Sequence, residues 1–432
     1  MQPDETVCLL NDSFPPLIDG VANAVVNYAG VLTQEGRRAM VLTPRHPEAD
    51  DSRFPYPVIR YPSIDIREKV GYLAGVPFSP EAAASVEEQH VRLLHSHCPI
   101  ISTILARQLR QVVDAPIILT YHTKFDVEIS NMVRNRLLQA GSKRALVRNI
   151  SACDEVWAVS RGAGENLREL GYEGDYVVMP NGVDLPLGKA DEGQIQEVTG
   201  DYDLPAGVPV FLFVGRMQWY KGQKLILDAL ERLKKDGRDF RMVFVGGGAD
   251  LHDIKAYAKL SDLEDKCIFT GALQSREALR CWYSRADLFL FPSTFDTNGL
   301  VVREAAACGV ASVLVRDSCA SEGICDGRNG FLMEEDSGSL YALLSILGLE
   351  QMHKAGDTAA SEIYISWKTA VDNAQQRYGI VLDRYRSGSR QNHREPVEGL
   401  MKLNGELMED LGHLIRIRDR IRERLEEHEW RQ

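Results

Sequence analysis

Along the first half of the chain, short apolar runs alternate with glycine-bearing turns and helix-length segments of mixed polarity. The runs are Thr6 to Leu10, Ala39 to Thr43, Arg92 to His95, Pro116 to Tyr121, Glu155 to Ser160 and Tyr176 to Met179. Continuous runs rich in Val, Ile and Leu suit strands covered on both faces, so the pattern predicts βα units around a parallel sheet. From Gly188 to Gly207 the chain turns polar and acidic, which predicts a linker. The alternation then restarts, with strands expected at Val208 to Val214, Arg241 to Val245, Cys267 to Phe269, Leu288 to Phe291, Ala311 to Val315 and Gly330 to Met333. Near Gly356 the runs stop. Ser361 to Ser387 places Trp367, Val371, Ala374, Tyr378 and Val381 on one helical stripe, and beyond a polar break at Gly388 to Pro396 a second stripe runs from Leu403 to Leu425. The expected architecture is α/β, with two doubly wound parallel-sheet domains. They span 1–187 and 208–355 around a linker at 188–207, followed by crossover helices at 356–390 and a helical tail at 391–432. The tail stripe predicts docking on the protein itself or on a second copy, a homo-oligomer through the C-terminal helix.

Composition narrows the class. A chain of 432 residues exceeds what one core serves, and 44% apolar with 26% charged residues is the balance of a globular protein. Fifty basic against 62 acidic side chains leave −12, which excludes a general nucleic-acid footprint. The N-terminus has no basic, apolar leader pattern, and no stretch approaches the roughly 20 apolar residues that span a bilayer. A cytoplasmic protein is expected. The eight cysteines are scattered without a C-x-x-C pair, and no third ligand lies near His95, His97 or His122 at zinc spacing, so no metal is expected.

Ligands of doubly wound sheets bind beyond the carboxyl ends of strands, so the residues after each run are where chemistry is expected. The first run leads into Asp19-Gly20-Val21, where a glycine opens a helix and lets backbone N–H groups approach an anion or sugar; a simple tight turn is the other reading. A later strand ends in Tyr121-His122-Thr123, and His122 is expected as a hydrogen-bond partner for a sugar. The second sheet begins with Val214-Gly215-Arg216 and then Lys221-Gly222, two cations and two glycines at a strand-to-helix turn, which suits a diphosphate. Gly246 opens a glycine run after the next strand, but Leu251 breaks the G-x-G-x-x-G fingerprint and no P-loop is present. The segment from Phe291 to Ala305 carries Asp296 and Glu304 eight positions apart. Asn298, Gly299 and Leu300 lie between them at an expected helix start, and two such carboxylates suit the hydroxyls of a ribose and a hexose.

Six pieces in order resemble family 4 of the retaining glycosyltransferases, over roughly residues 5–385. They are the Gly20 loop, Tyr121-His122-Thr123, Pro180-Asn181-Gly182-Val183-Asp184, Gly215-Arg216 with Lys221-Gly222, the Asp296 and Glu304 pair, and Asp326-Gly327-Arg328-Asn329-Gly330-Phe331. The resemblance implies a GT-B fold of two facing Rossmann-like domains and a nucleotide-diphosphate sugar, UDP-linked, as substrate with no cofactor. It implies that Arg216 and Lys221 bind the diphosphate, Glu304 the ribose, Asp296 and the amides of Asn298 to Leu300 the transferred sugar, and that Gly20 lies near phosphate or acceptor. The first acid of the family's paired-glutamate motif is Asp296 here, and the only D-x-D, Asp201-Tyr202-Asp203, falls in the expected linker. A nucleotide-sugar binder or epimerase of similar fold is the competing class.

From Asn131 to Ile150 the chain holds Arg134, Arg136, Lys143, Arg144 and Arg148 without one acid, interleaved with apolar residues. In a protein of charge −12 this reversal predicts an anionic membrane surface as partner, with the protein peripheral on the inner face of the plasma membrane. The Asp12 to Val21 and Tyr121-His122-Thr123 stretches are similar to the diacylglycerol-glycosylating branch of the family. A lipid acceptor is one expectation, and a soluble or polyprenyl-linked sugar acceptor is the other.

Overall fold

The computed structural model describes residues 5–17, 19–65, 73–77, 79–123, 125 and 136–388. These form two compact units, the first running to Pro180 and resuming at Val371, the second spanning Asn181–Ala370.

In the first unit, β1 (Thr6–Leu10), α1 (Gly20–Gln34), β2 (Arg38–Pro44) and β3 (Val58–Tyr61) precede a two-stranded hairpin, β4 (Ser63–Asp65) and β5 (Leu73–Gly75). There follow α2 (Pro80–Glu88), β6 (Val91–Ser96), α3 (Ile101–Val113), β7 (Ile117–Tyr121), α4 (Arg136–Ser151), β8 (Glu155–Ala158), α5 (Arg161–Glu169) and β9 (Val177–Val178). Seven parallel strands lie in the order β3-β2-β1-β6-β7-β8-β9. β1 and β7 are buried at every position, which is why they read as unbroken apolar runs. β3 escapes the sequence pattern because it is an edge strand, mostly half-buried, between Pro57 and Pro62.

The second unit contains α6 (Glu192–Thr199), β10 (Val210–Val214), α7 (Gln223–Lys235), β11 (Arg241–Val245), α8 (Leu251–Leu260), β12 (Cys267–Gly271) and α9 (Arg276–Arg285). Then come β13 (Leu288–Phe291), α10 (Leu300–Ala307), β14 (Ala311–Val315), β15 (Phe331–Met333), α11 (Ser337–Ile346) and α12 (Leu349–Glu362). Its six parallel strands run β12-β11-β10-β13-β14-β15, so the winding reverses between β10 and β13. That reversal opens a crevice at the carboxyl ends of these two strands.

The boundaries differ from the expected ones. The stretch 188–207 is not a bare linker but part of the second unit. The Gly188 N–H donates to Ala307 O, the Ala190 N–H to Ser284 Oγ, and Ile195 of α6 packs with Ala190 and Cys281. With only Ile195 and Thr199 buried, α6 is too polar to show a stripe. Residues 356–370 also belong to the second unit, through Ala359 and Ile363 in its core. Only the following helix, α13 (Trp367–Arg386), carries the chain back into the first. The tail 391–432 and its Leu403 to Leu425 stripe lie outside the described residues.

Candidate functional site

Two loops leave the crevice strands of the second unit. One runs from Gly215 through a 3-10 turn at Trp219–Lys221 into α7, and the other from Pro292 to Gly299 into α10. Lys221 Nζ donates to Asp296 Oδ2 at 2.8 Å, and Ser293 Oγ donates to the same oxygen at 2.7 Å. The two side chains of this ion pair remain 14% and 27% exposed, so it is reachable from solvent. Arg216 is exposed and forms no ion pair among the described residues.

α7 and α10 both start from a glycine in the left-handed region, Gly222 at φ 89° and Gly299 at φ 56°, and neither has a side-chain cap. At Gly222 a Cβ would also stand 2.6 Å from Pro292 Cγ, so the second loop closes over the first only because this residue is glycine. Elsewhere Ser79, Ser160, Ser275 and Asp336 cap α2, α5, α9 and α11. Uncapped N-termini keep their N–H groups and positive ends available, and here they follow directly on the Lys221 and Asp296 loops. Together with Arg216 and Lys221 they suit a polyanion. Asn298 is locked by Arg303, whose Nη1 donates to its side-chain oxygen at 2.6 Å and to its carbonyl at 2.8 Å, fixing the approach to Leu300.

Gly215 and Gly246 act otherwise than expected. Their N–H groups donate to Val245 O and Gly271 O at 3.0 and 2.9 Å, so both amides are occupied in extending the sheet. A Cβ on Gly246 would lie 1.9 Å from Gly215 O, so the close approach of the two strand ends demands this residue.

Glu304 also departs from the expectation of an open position facing the same ligand as Asp296. It is 8% exposed, on a helix whose Val302, Ala305, Ala306 and Ala307 are buried as well. Its Oε1 accepts from Arg276 Nη2 at 2.7 Å and its Oε2 from the Tyr283 hydroxyl at 3.1 Å, so it shares no partner with Asp296. Burial, and next the Glu304 charge, push the Tyr283 hydroxyl well above its ordinary pKa, which keeps it a donor. The D-x-D is structural, since Asp203 pairs with Arg241 at the start of β11. Among the described residues, no three His, Cys, Asp or Glu are grouped to hold a metal ion.

In the first unit the β1 loop gives α1 its cap. Asp19 Oδ1 accepts from the Val21 and Ala22 N–H groups at 2.8 and 2.7 Å, so the Val21 amide is already occupied. Gly20 is exposed and a Cβ there would meet nothing within 4 Å, leaving the start of α1 open on that side. Asp12 caps α3 instead, accepting from the Ile101 and Ser102 N–H groups.

His122 is 8% exposed, and its Nε2 meets His97 Nδ1 at 3.0 Å. His95 bridges the Tyr378 hydroxyl at 2.6 Å and Thr120 Oγ1 at 2.7 Å, so α13 is tied to the ends of β6 and β7. Burial lowers all three imidazoles, His122 to about 3. They are neutral at pH 7, and His122 is a hydrogen-bonding group and not a cation. A histidine that titrates near 6.5 when unfolded takes up protons first in the unfolded chain as pH falls. Its contribution to stability is complete above that value and is lost below it, at about 1.4 kcal/mol per pH unit for each imidazole. The urea midpoint is therefore expected to drop between pH 7 and pH 5, and an unchanged midpoint would contradict buried neutral histidines.

Of the basic run, Arg134 lies outside the described residues and Arg136 opens α4. Lys143 is half-buried and Arg144 and Arg148 are exposed, while Ala145, Leu146, Asn149 and Ile150 are buried, as in a helix with one solvent face. No helix among the described residues is long and apolar enough to cross a membrane.

Sequence reasoning did not single out Ser293, Arg276, Tyr283 or Asp12 for these roles. Their spacing is no signal, because each reaches its partner through the sheet or across a loop. His97 had one, standing two residues beyond His95 at the end of the same strand run.

Comparison with known proteins places both units. Residues 18–186 match the family described as Glycosyltransferase Family 4, and residues 195–351 match Glycosyl transferases group 1. The chain is 24% identical over 307 residues to an alpha-monoglucosyldiacylglycerol synthase of Streptococcus pneumoniae, covering 70% of this chain and 69% of that protein. It is 26% identical over 330 residues to a D-inositol 3-phosphate glycosyltransferase of an Arthrobacter species, covering 71% and 73%. Among solved structures, Anabaena HepE in complex with UDP superposes with a TM-score of 0.69 at 18% identity, over 87% of this chain and all of that one.

Proposed function

We propose that this chain, which belongs to the family 4 glycosyltransferases and has their GT-B class of fold, moves a hexose from a UDP-linked sugar to an acceptor hydroxyl with retention of configuration. The observation that carries the reading is the Lys221–Asp296 pair at the carboxyl ends of β10 and β13. A nucleotide sugar breaks between the anomeric carbon and a phosphate oxygen, so the demand is to stabilise a departing diphosphate beside an oxocarbenium-like sugar. Arg216, Lys221 and the uncapped starts of α7 and α10 are preorganised positive charge for that task. Asp296 and the Leu300 amide hold the transferred sugar, and Glu304, with lone pairs beyond those given to Arg276 and Tyr283, takes the ribose. The acceptor oxygen attacks the face the phosphate leaves, and the leaving phosphate oxygen takes the acceptor proton.

With that charge supplied by Arg216 and Lys221, no divalent cation is required. Transfer is expected to survive EDTA; loss on chelation, restored by magnesium or manganese, would assign the neutralisation to an ion.

The acceptor we propose is a diacylglycerol-type lipid, reached from an anionic membrane surface, in line with the S. pneumoniae relative and the exposed cations of α4. Such binding is screened charge attraction, with a Debye length of about 8 Å at physiological salt. Sedimentation with anionic vesicles is expected to fall steeply as salt rises, and to be abolished when Arg134, Arg136, Lys143 and Arg144 are changed to Glu. Vesicle binding absent from the intact protein would favour a soluble sugar acceptor, the reading that the Arthrobacter relative supports.

A further inference from the structure

Besides the approach of Gly222 to Pro292, the two crevice loops of the second unit meet through two adjacent pairs of side chains. Lys221 meets Asp296, and the residue before each is aromatic and meets its counterpart. The Tyr220 and Phe295 ring centroids are 4.9 Å apart at an interplanar angle of 52°. The rings are 46% and 47% exposed. Among the described residues only three Phe, Tyr or Trp side chains are exposed, the third being Tyr202 at 38%, so two of the three stand together beside the ion pair. Lys221 Nζ lies over the Tyr220 ring, 5.5 Å from its centroid, so the cation stands against one face of the same platform.

Leaving two aromatic rings half in water costs hydrophobic free energy that burial in either unit's core would have recovered. The 2.8 Å bond between the following residues joins the two loops directly beside the rings. An exposed pair of π-faces next to a carboxylate and an ammonium has the composition of a carbohydrate subsite: polar groups for hydroxyls, negative ring faces for the electropositive C–H face of a pyranose.

We propose that Tyr220 and Phe295 form a stacking platform for the ring of the sugar being transferred, and so help to set which sugar the enzyme accepts. This rests on the reading that places the sugar donor at Lys221 and Asp296. Within that reading the anomeric centre lies between the diphosphate at Lys221 and the hydroxyls at Asp296, and the two rings adjoin those same residues. The nucleoside end belongs instead with Glu304, whose partners are Arg276 and Tyr283, on another helix.

Calorimetric titration of the full chain with UDP, UDP-glucose, GDP and GDP-mannose tests it. The doubly substituted Tyr220→Leu, Phe295→Leu protein keeps apolar bulk without π-faces. It is expected to bind whichever nucleotide sugar the wild type prefers about tenfold more weakly, and the matching diphosphate unchanged. Tyr220→Phe is expected to bind both as the wild type does. Equal weakening of diphosphate and nucleotide sugar would put the rings against the nucleotide, and weakening of neither would put them against the acceptor or a lipid surface; either result overturns the proposal. Lys221→Met separates the underlying reading: if it binds UDP and GDP as well as the wild type, or if the wild type binds none of the four, the sugar-donor site itself is elsewhere and the platform falls with it.

Discussion

Lys221→Ala is expected to lower transfer by about two to three orders of magnitude, the range seen when one preorganised charge-stabilising group is lost at a transition state. The fold should be untouched, because the side chain is 14% exposed and its bond to Asp296 lies at the rim of the crevice. An exposed or partly exposed pair contributes little to stability, so the melting temperature is expected to stay within about a degree or two of the wild type. Loss of rate with retained melting would place Lys221 at the leaving diphosphate; unchanged turnover would remove the site. Arg216→Ala should act in the same direction, since that guanidinium is exposed and has no ion pair among the described residues.

Glu304→Ala is expected to do two things at once. In the proposed role it weakens binding of the nucleotide sugar. In the structure it also strips the buried Tyr283 hydroxyl of its acceptor and Arg276 of its nearer carboxylate, leaving it Asp184 at 3.8 Å. A buried donor left unsatisfied costs about 1–3 kcal/mol, which in a unit of this size is a fall of about 5 °C in melting temperature. Glu304→Gln keeps an oxygen for Tyr283 and is expected to recover most of the stability. A Glu304→Ala protein that melts like the wild type would show that the buried bonds contribute nothing. One that melts lower yet binds the nucleotide sugar normally would make Glu304 purely structural. The sequence alone pointed to an open carboxylate here, because a charged residue early in a helix reads as solvent-facing until its neighbours are known.

Strands such as Arg241–Val245, Leu288–Phe291 and Ala311–Val315 begin and end where their apolar runs do. A strand covered on both faces has few polar positions, so one-dimensional pattern and three-dimensional burial coincide. The stripe Trp367, Val371, Ala374, Tyr378 and Val381 was legible for the same reason, and all five are buried. β3 and α6 were not, since each is half solvated and its few buried residues find their partners far along the chain.

What the sequence by itself determined is therefore the α/β class, the two sheets in series and the strand-end loops on which the proposed site stands, since all of these follow from local periodicity and from which residues come next after a buried strand. Tertiary structure alone decided which groups on those loops are available. It joined Lys221 to Asp296, gave the Gly215 and Gly246 amides to the sheet, turned Glu304 toward Tyr283 and Arg276, and closed His122 against His97. These outcomes depend on partners 21 to 75 positions apart, brought within hydrogen-bond distance only when the strands pack side by side, and no spacing along the chain encodes them.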